Sequence, residues 1–162
     1  MYTSAAHRLR VTLLRAADAV TERTTAFAEP FGLTQQQFNA LRVLRGRKRQ
    51  EEAAAEAGED LGSFSTSDLR ARLITRASDT PRLIDRLIQK GLVHKKPCDH
   101  DARRVHLTIT EAGLALLRQL DAESARLDTE TVPISDTEAA RLADSLEALL
   151  IKLETAQEFS ST

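Results

Sequence analysis

The sequence predicts a mainly α-helical chain with one small β-hairpin. Two observations predict this class. Apolar residues recur with helical spacing over most of the 162 residues, and one pair of short β-prone runs is separated by a polar turn. A chain of this length can bury a core of its own, and a second independent domain is not expected.

The first two helices are predicted from apolar spacing and from signals at their ends. Apolar side chains at every third or fourth position place the first helix at about 5–29, and Gly32 closes that segment. Thr34 and Gln37 have the spacing of a capping box, in which each side chain satisfies a free backbone donor of the other residue. The second helix is therefore predicted at about 35–45.

The following stretch, residues 46–62, is predicted to be a mobile loop. It reads GRKRQEEAAAEAGEDLG, carries a single leucine and has no apolar face, although its alanine and glutamate content could support a transient helix. Ser65 and Asp68 then repeat the capping spacing, with aspartate in place of the usual glutamate or glutamine. They predict a third helix at about 66–73, with its leucines facing inward.

A fourth helix is predicted to end near Lys90. Gly91 lies where a left-handed residue closes a helix, and Pro81 fits the first turn, where a backbone donor is not needed. Ser78 is then the predicted N-cap. The apolar face of this helix consists of Leu83, Ile84, Leu87 and Ile88.

A hairpin and further helices complete the predicted chain. Leu92–Lys96 and Val105–Ile109 are the two β-prone runs, and the polar segment PCDHDARR between them is the turn. Thr110 is predicted to cap a fifth helix, which Pro133 interrupts. A last helix is predicted at about 136–157, with one leucine-rich stripe.

Charge is distributed unevenly along the chain. The net charge of −1 hides a segment, residues 70–109, with ten Lys or Arg and four Asp or Glu, a net charge of +6. Residues 110–162 carry four Lys or Arg and eleven Asp or Glu, a net charge of −7. A basic middle beside an acidic end is typical of a protein that presents one face to nucleic acid.

Two short helices joined by a tight link, the second followed at once by a basic hairpin, form a winged helix-turn-helix. A helix about 12 Å wide fits the major groove of B-DNA, and burial of the apolar face of the fourth helix leaves its other face and first turn free. The residues expected to contact DNA on this helix are Arg76, Ser78, Asp79 and Arg82. The hairpin cations expected to reach phosphates or the minor groove are Lys95, Lys96, Arg103 and Arg104. Asp101 is expected to orient Arg103 through an ion pair.

Four blocks between Leu33 and Leu120 resemble the multiple-antibiotic-resistance regulator (MarR) family. They are LTQQQFNALRVLRG, STSDLRARL, RLIDRLIQKGLV and DARRVHLTITEAG. The last block contains the family's wing pattern, which is Asp-x-Arg, five further residues and then Leu-Thr. The residues at these places are Asp101, Arg103, Ile109 and Thr110, with isoleucine for leucine as the one conservative change.

The resemblance implies a winged helix-turn-helix over residues 33–110 and a helical dimerisation region over residues 1–32 and 111–162. It implies a homodimer in which the fourth helix contacts the major groove and Arg103 enters the minor groove. It further implies repression that a small-molecule effector relieves, although no motif names the effector or its pocket. Since a two-fold dimer presents paired recognition helices, the expected partner is double-stranded DNA that contains an inverted-repeat operator.

The histidines and the cysteine in and beside the hairpin raise other possible functions. His94 and His106 would be cross-strand neighbours if the turn is centred near residue 100, but with Cys98 and His100 they match no compact zinc-binding spacing. No metal and no cofactor is therefore expected. Cys98 lies beside basic residues, so a redox-responsive regulator is one alternative. A helical dimerisation protein that does not bind DNA is the other.

The sequence does not predict an enzyme, because it contains no phosphate-cradling glycine motif, nucleophile elbow or recognisable catalytic triad. The chain has one cysteine, no apolar N-terminal signal segment and no apolar run of bilayer length. These features predict a cytoplasmic protein with no membrane partner.

Overall fold

The structure, a computed structural model, describes residues 2–74, 79–98 and 101–160, without the side chains at 98, 101–104 and 156–160. Within these ranges the chain forms helices and one two-stranded antiparallel sheet, which confirms the predicted class. The elements are α1 (Ala5–Ala28), a 3-10 turn (Glu29–Phe31), α2 (Gln35–Glu56), α3 (Thr66–Arg72), α4 (Thr80–Gln89), β1 (Val93–Cys98), β2 (Asp101–Ile109), α5 (Glu111–Ala122), α6 (Ser124–Thr131) and α7 (Asp136–Ser160). Of the helices in this described part, none is both long and apolar enough to cross a bilayer.

The chain divides into two compact units, Met1–Ser124 and Ala125–Thr162. Among the described residues, every buried apolar side chain belongs to the first unit. Its most deeply buried large side chains are Leu41, Leu44, Phe64, Leu69, Ile84, Leu87, Leu107, Leu117 and Leu120. The second unit contains α7 and nearly all of α6, and it exposes an apolar stripe that consists of Leu142, Leu146, Leu150 and Leu153. A core in the first unit therefore holds α4 and the hairpin in place.

Capping side chains begin three of the helices where the sequence predicts them. At α2 the backbone N–H of Gln37 donates to Thr34 Oγ1, and the N–H of Thr34 donates to Gln37 Oε1, both at 3.2 Å. At α3 the N–H of Ser65 donates to an Asp68 carboxylate oxygen at 2.7 Å, in a second capping box. Thr110 Oγ1 accepts from the N–H of Gly113 at 3.0 Å and begins α5. These local hydrogen bonds satisfy donors that a helix leaves free at its first turn.

The predicted mobile loop over residues 46–62 is wrong for its first two thirds, because α2 continues to Glu56. The stretch lacks an apolar stripe, but Arg47 and Ala54 are buried there. The aliphatic stem of an arginine can cover apolar surface while its guanidinium finds polar partners, and the alanine and glutamate content favours a helix. The chain leaves the helix only at the glycines, where Gly58 and Gly62 have φ angles of +76° and +68°.

Two further boundaries differ from the prediction. The N-cap of α4 is Asp79 and not Ser78, which lies outside the described residues; the helix begins at Thr80, whose side chain is buried, with Pro81 in the first turn as expected. The predicted fifth helix is divided into α5 and α6 at Glu123. The apolar spacing that ends at buried Leu120 is not continued at 123 or 124, where both side chains are exposed.

Candidate nucleic-acid interface

The helix α4 has one buried face and one charged face. Leu83, Ile84 and Leu87 are buried, and Ile88 is half-buried, as the apolar spacing predicts. The side chains on the opposite face are exposed, and they are Arg82, Asp85, Arg86 and Gln89. A helix held by one face in this way can place the other face in a groove of duplex DNA without rearranging its core contacts.

Asp79 and Arg82 lie together at the exposed N-terminal end of α4. Arg82 Nε is 3.7 Å from Asp79 Oδ1, and the two side chains are 77% and 58% exposed. An ion pair so open to solvent adds little stability, so phosphate oxygens can replace the carboxylate at small cost. The other two predicted contacts on this helix, Arg76 and Ser78, lie outside the described residues.

The β1–β2 hairpin, called the wing from here on, follows α4 after a turn at Gly91. Lys95 and Lys96 of β1 are exposed, and in the sheet they pair with Leu107 and His106 of β2. The alternation along β2 gives the hairpin a buried face that includes Leu107 and Ile109. Because Lys95 and Lys96 are both exposed, each can meet an anionic partner.

Three predicted wing residues belong to the backbone of β2 but have no described side chains. They are Asp101, Arg103 and Arg104. The ion pair between Asp101 and Arg103, and the entry of Arg103 into the minor groove, therefore stay predictions. The same holds for the redox response of Cys98, whose side chain is also outside the description.

The predicted cross-strand pair of His94 and His106 is wrong. The sheet pairs His94 with Thr108 and His106 with Lys96, because the register is centred one residue later than the sequence estimate. The partner of His94 is two residues further along β2 than predicted, and a two-residue shift keeps Leu107 and Ile109 on the same face, so the apolar alternation does not distinguish the two registers. Among the residues that the structure describes, no group of three or more His, Cys, Asp or Glu could hold a metal ion.

A cluster at the root of the wing was not predicted from the sequence. Arg47 of α2 donates from Nε to Glu51 Oε1 at 2.6 Å and from its terminal nitrogen to the carbonyl oxygens of Leu61 and Gly62, at 3.1 and 2.6 Å. The only local signal was the i, i+4 spacing of Arg47 and Glu51, which also occurs in exposed helices. The cluster ties α2 to the segment before α3.

Phe64 joins the same cluster to the wing. Its N–H donates to His106 Nδ1 at 3.0 Å, and its carbonyl oxygen accepts from the N–H of Leu107 at 2.9 Å. His106 Nε2 lies 3.7 Å from Glu51 Oε1. The wing is thus held at its root by α2 and by the chain that enters α3.

A polar cleft lies beside α4 within the first unit. Its volume is about 290 Å³, and it is lined by Thr21 and Thr25 of α1, Thr34 and Gln35 to Gln37 at the start of α2, and Asp79, Arg82, Leu83 and Arg86. Arg82 and Arg86 are one helical turn apart and supply its positive charge. Nearby, Lys90 Nζ donates to the carbonyl oxygen of Gly32, which joins the end of α4 to the turn before α2.

Comparison with known proteins assigns α3, α4 and the wing to a known type of domain. Residues 59–113, which include α3, α4 and the wing, match the family model of the winged helix DNA-binding domain. No curated protein matches the chain.

Solved structures of similar fold cover almost the whole chain. A MarR family transcriptional regulator from Streptomyces coelicolor is similar with a TM-score of 0.74 at 21% identity, over 94% of this chain and 98% of that one. A MarR transcription factor from Planctomyces limnophilus is similar with a TM-score of 0.62 at 26% identity, over 96% and 99%. A MarR variant from E. coli, in complex with operator DNA, is similar with a TM-score of 0.73 at 21% identity, over 88% and 94%.

These comparisons confirm the resemblance that the four sequence blocks indicated. The family model is that of a DNA-binding domain, and the solved structures of similar fold are transcription regulators and not enzymes. Residues 59–113 thus form a winged helix DNA-binding domain, and the fold of the chain is similar to that of MarR-family transcription regulators.

Proposed function

We propose that this protein is a dimeric, sequence-specific transcriptional repressor that binds an inverted-repeat operator. The observation that carries the proposal is the pairing of α4 with the wing. A helix with a buried apolar face and an exposed Arg82 is followed directly by a hairpin with exposed Lys95 and Lys96. In this proposal α4 enters the major groove, and Arg103 on the wing reaches the minor groove.

Dimerisation is supported by exposed apolar side chains outside the DNA-binding segment. On α1 these include Leu9, Leu14 and Val20, and on α7 they include Leu142, Leu146 and Leu150. Exposed apolar side chains in such number are costly to leave in water, and a second copy of the chain would cover them. We propose that residues 1–32 and 111–162 form the dimerisation region and that residues 33–110 bind DNA.

The proposed effector is a small anionic compound that binds in the cleft beside α4. Arg82 and Arg86 supply positive charge in this cleft, and its threonine and glutamine side chains supply hydrogen-bond donors and acceptors. Arg82 is also a proposed DNA contact. An occupant that pairs with Arg82 would compete with DNA for the same cation and so relieve repression.

The proposed location of the protein is the cytoplasm, where such compounds and the DNA are accessible.

Selection of genomic fragments by the purified protein tests the proposal directly. Fragments enriched by the wild-type chain are expected to contain an inverted repeat, with half-sites about one helical turn of DNA apart. Affinity measured by fluorescence anisotropy should decrease linearly with the logarithm of salt concentration, with a slope of about −0.9 for each neutralised phosphate. Absence of salt-sensitive affinity for any duplex would leave the non-DNA dimerisation protein as the better interpretation.

A further inference from the structure

The backbone of Phe64 lies along the free edge of β2 like a single residue of a third strand. Its carbonyl oxygen accepts from the N–H of Leu107 at 2.9 Å, which is an ordinary backbone pairing. Its N–H, however, donates to a side chain, His106 Nδ1, at 3.0 Å. A histidine therefore supplies the acceptor that a backbone carbonyl would supply in a regular ladder.

This N–H needs a partner because it is enclosed by the core. Phe64 is only 2% exposed, and the guanidinium groups of Arg47 and Arg72 lie 5.5 and 5.1 Å from the centroid of its ring. A buried backbone donor without an acceptor destabilises the conformation that buries it. The orientation of the wing that pairs Phe64 with β2 thus depends on a side chain at position 106.

The hydrogen bond also determines which ring nitrogen of His106 carries the proton. Since Phe64 donates, Nδ1 must be an unprotonated acceptor, and neutral imidazole then carries its proton on Nε2. Nε2 faces Glu51, whose Oε1 lies 3.7 Å away and accepts from Arg47 Nε at 2.6 Å. The Glu51 carboxylate is an acceptor and favours a donor at Nε2, while Arg47 holds that carboxylate in place through its own hydrogen bond.

We propose that His106 is a positioning residue for DNA binding, acting as the Nε2-protonated tautomer that holds the wing to Phe64. The inference rests on the proposed function, because the wing is one of its two DNA-contacting elements. Without the Nδ1 acceptor the wing loses one of its anchors to the rest of the first unit. It must then be ordered during binding, and that ordering reduces affinity.

Substitutions that differ in the acceptor test this role. Asparagine places Oδ1 where histidine has Nδ1, so His106→Asn should keep operator affinity within about threefold of the wild type, whereas His106→Phe keeps a ring without an acceptor and should weaken binding by about tenfold. The matched control is His94→Phe on β1, an exposed histidine with no recorded side-chain hydrogen bond, which should bind as the wild type does. Thermal unfolding and light scattering establish that each variant is folded and associated.

Nitrogen-15 spectra of the wild-type protein provide a second measurement that needs no variant and no DNA. They should show an unprotonated Nδ1 and a protonated Nε2 on His106, together with slow hydrogen exchange at the amide of Phe64. A protonated Nδ1, averaging between the two tautomers, or fast exchange at Phe64 would overturn the proposal. So would equal affinities of the wild type and His106→Phe. Failure of the wild-type protein to bind any duplex would instead overturn the proposed function, while the spectra would still test the hydrogen bond.

Discussion

The guanidinium carbon of Arg47 lies 5.5 Å from the centroid of the Phe64 ring, so a charged side chain of α2 covers a buried aromatic residue at the root of the wing. Arg47 is only 8% exposed, and every hydrogen bond recorded for it goes to Glu51 or to the chain between α2 and α3. This contact explains why α2 continues beyond the length that its apolar residues indicate.

Replacement of Arg47 by alanine should lower the free energy of unfolding by about 2–3 kcal/mol, because two carbonyl oxygens and Glu51 lose a buried donor. Arg49→Ala is the matched control, since Arg49 is exposed on the same helix, and its effect should be within about 0.5 kcal/mol. Urea unfolding followed by circular dichroism measures both variants. Equal stabilities of the two would show that the Arg47 contacts contribute nothing.

Gly113 allows the first turn of α5 to approach the chain that enters β1. A Cβ atom at this position would lie 2.6 Å from the carbonyl oxygen of Leu92 and 2.7 Å from Ile109 Cγ1. Gly113→Ala should therefore destabilise the protein by about 1–3 kcal/mol through overpacking. Gly46→Ala, in the middle of α2 with open space around it, should instead stabilise by about 0.5–1 kcal/mol. Thermal unfolding distinguishes the two signs, and a neutral Gly113→Ala would contradict the close approach.

Arg103→Ala should weaken operator binding by about 1–3 kcal/mol and leave self-association intact, because the expected loss is one minor-groove contact for each wing. Arg118→Ala removes an exposed arginine from α5, outside α4 and the wing, and serves as the control for loss of charge alone. Anisotropy titrations on the selected operator measure both variants. Unchanged affinity of Arg103→Ala would remove the wing tip from the proposed mechanism.

Leu150→Glu should disrupt the homodimer, because it places a charge in the exposed apolar stripe of α7, where Leu150 is 57% exposed. Ala148→Glu adds the same charge on a different face of the same helix and should not affect association. Sedimentation velocity measures the dimer fraction of each variant. A stable dimer of Leu150→Glu would show that this stripe is not part of the dimer interface.

The sequence could predict only those parts of the candidate site that depend on residues close together in the chain. The apolar spacing of Leu83, Ile84 and Leu87 predicted which side of α4 is buried, and therefore that Arg82 is exposed. The role of His106 could not be predicted in this way, because it depends on Phe64, 42 residues earlier in the chain. Estimating the turn position alone also placed His94 opposite the wrong residue, because the apolar alternation along β2 is the same in both registers and does not distinguish them.

The sequence by itself determined the elements that short-range physics controls. Capping pairs such as Thr34 with Gln37 and Ser65 with Asp68 form within one helical turn, and they begin their helices at the predicted residues. Only the tertiary structure decided the length of α2 and the anchoring of the wing. Arg47 and His106 are polar residues whose burial becomes favourable only when partners distant in sequence supply hydrogen bonds, and a sequence pattern contains no record of such partners.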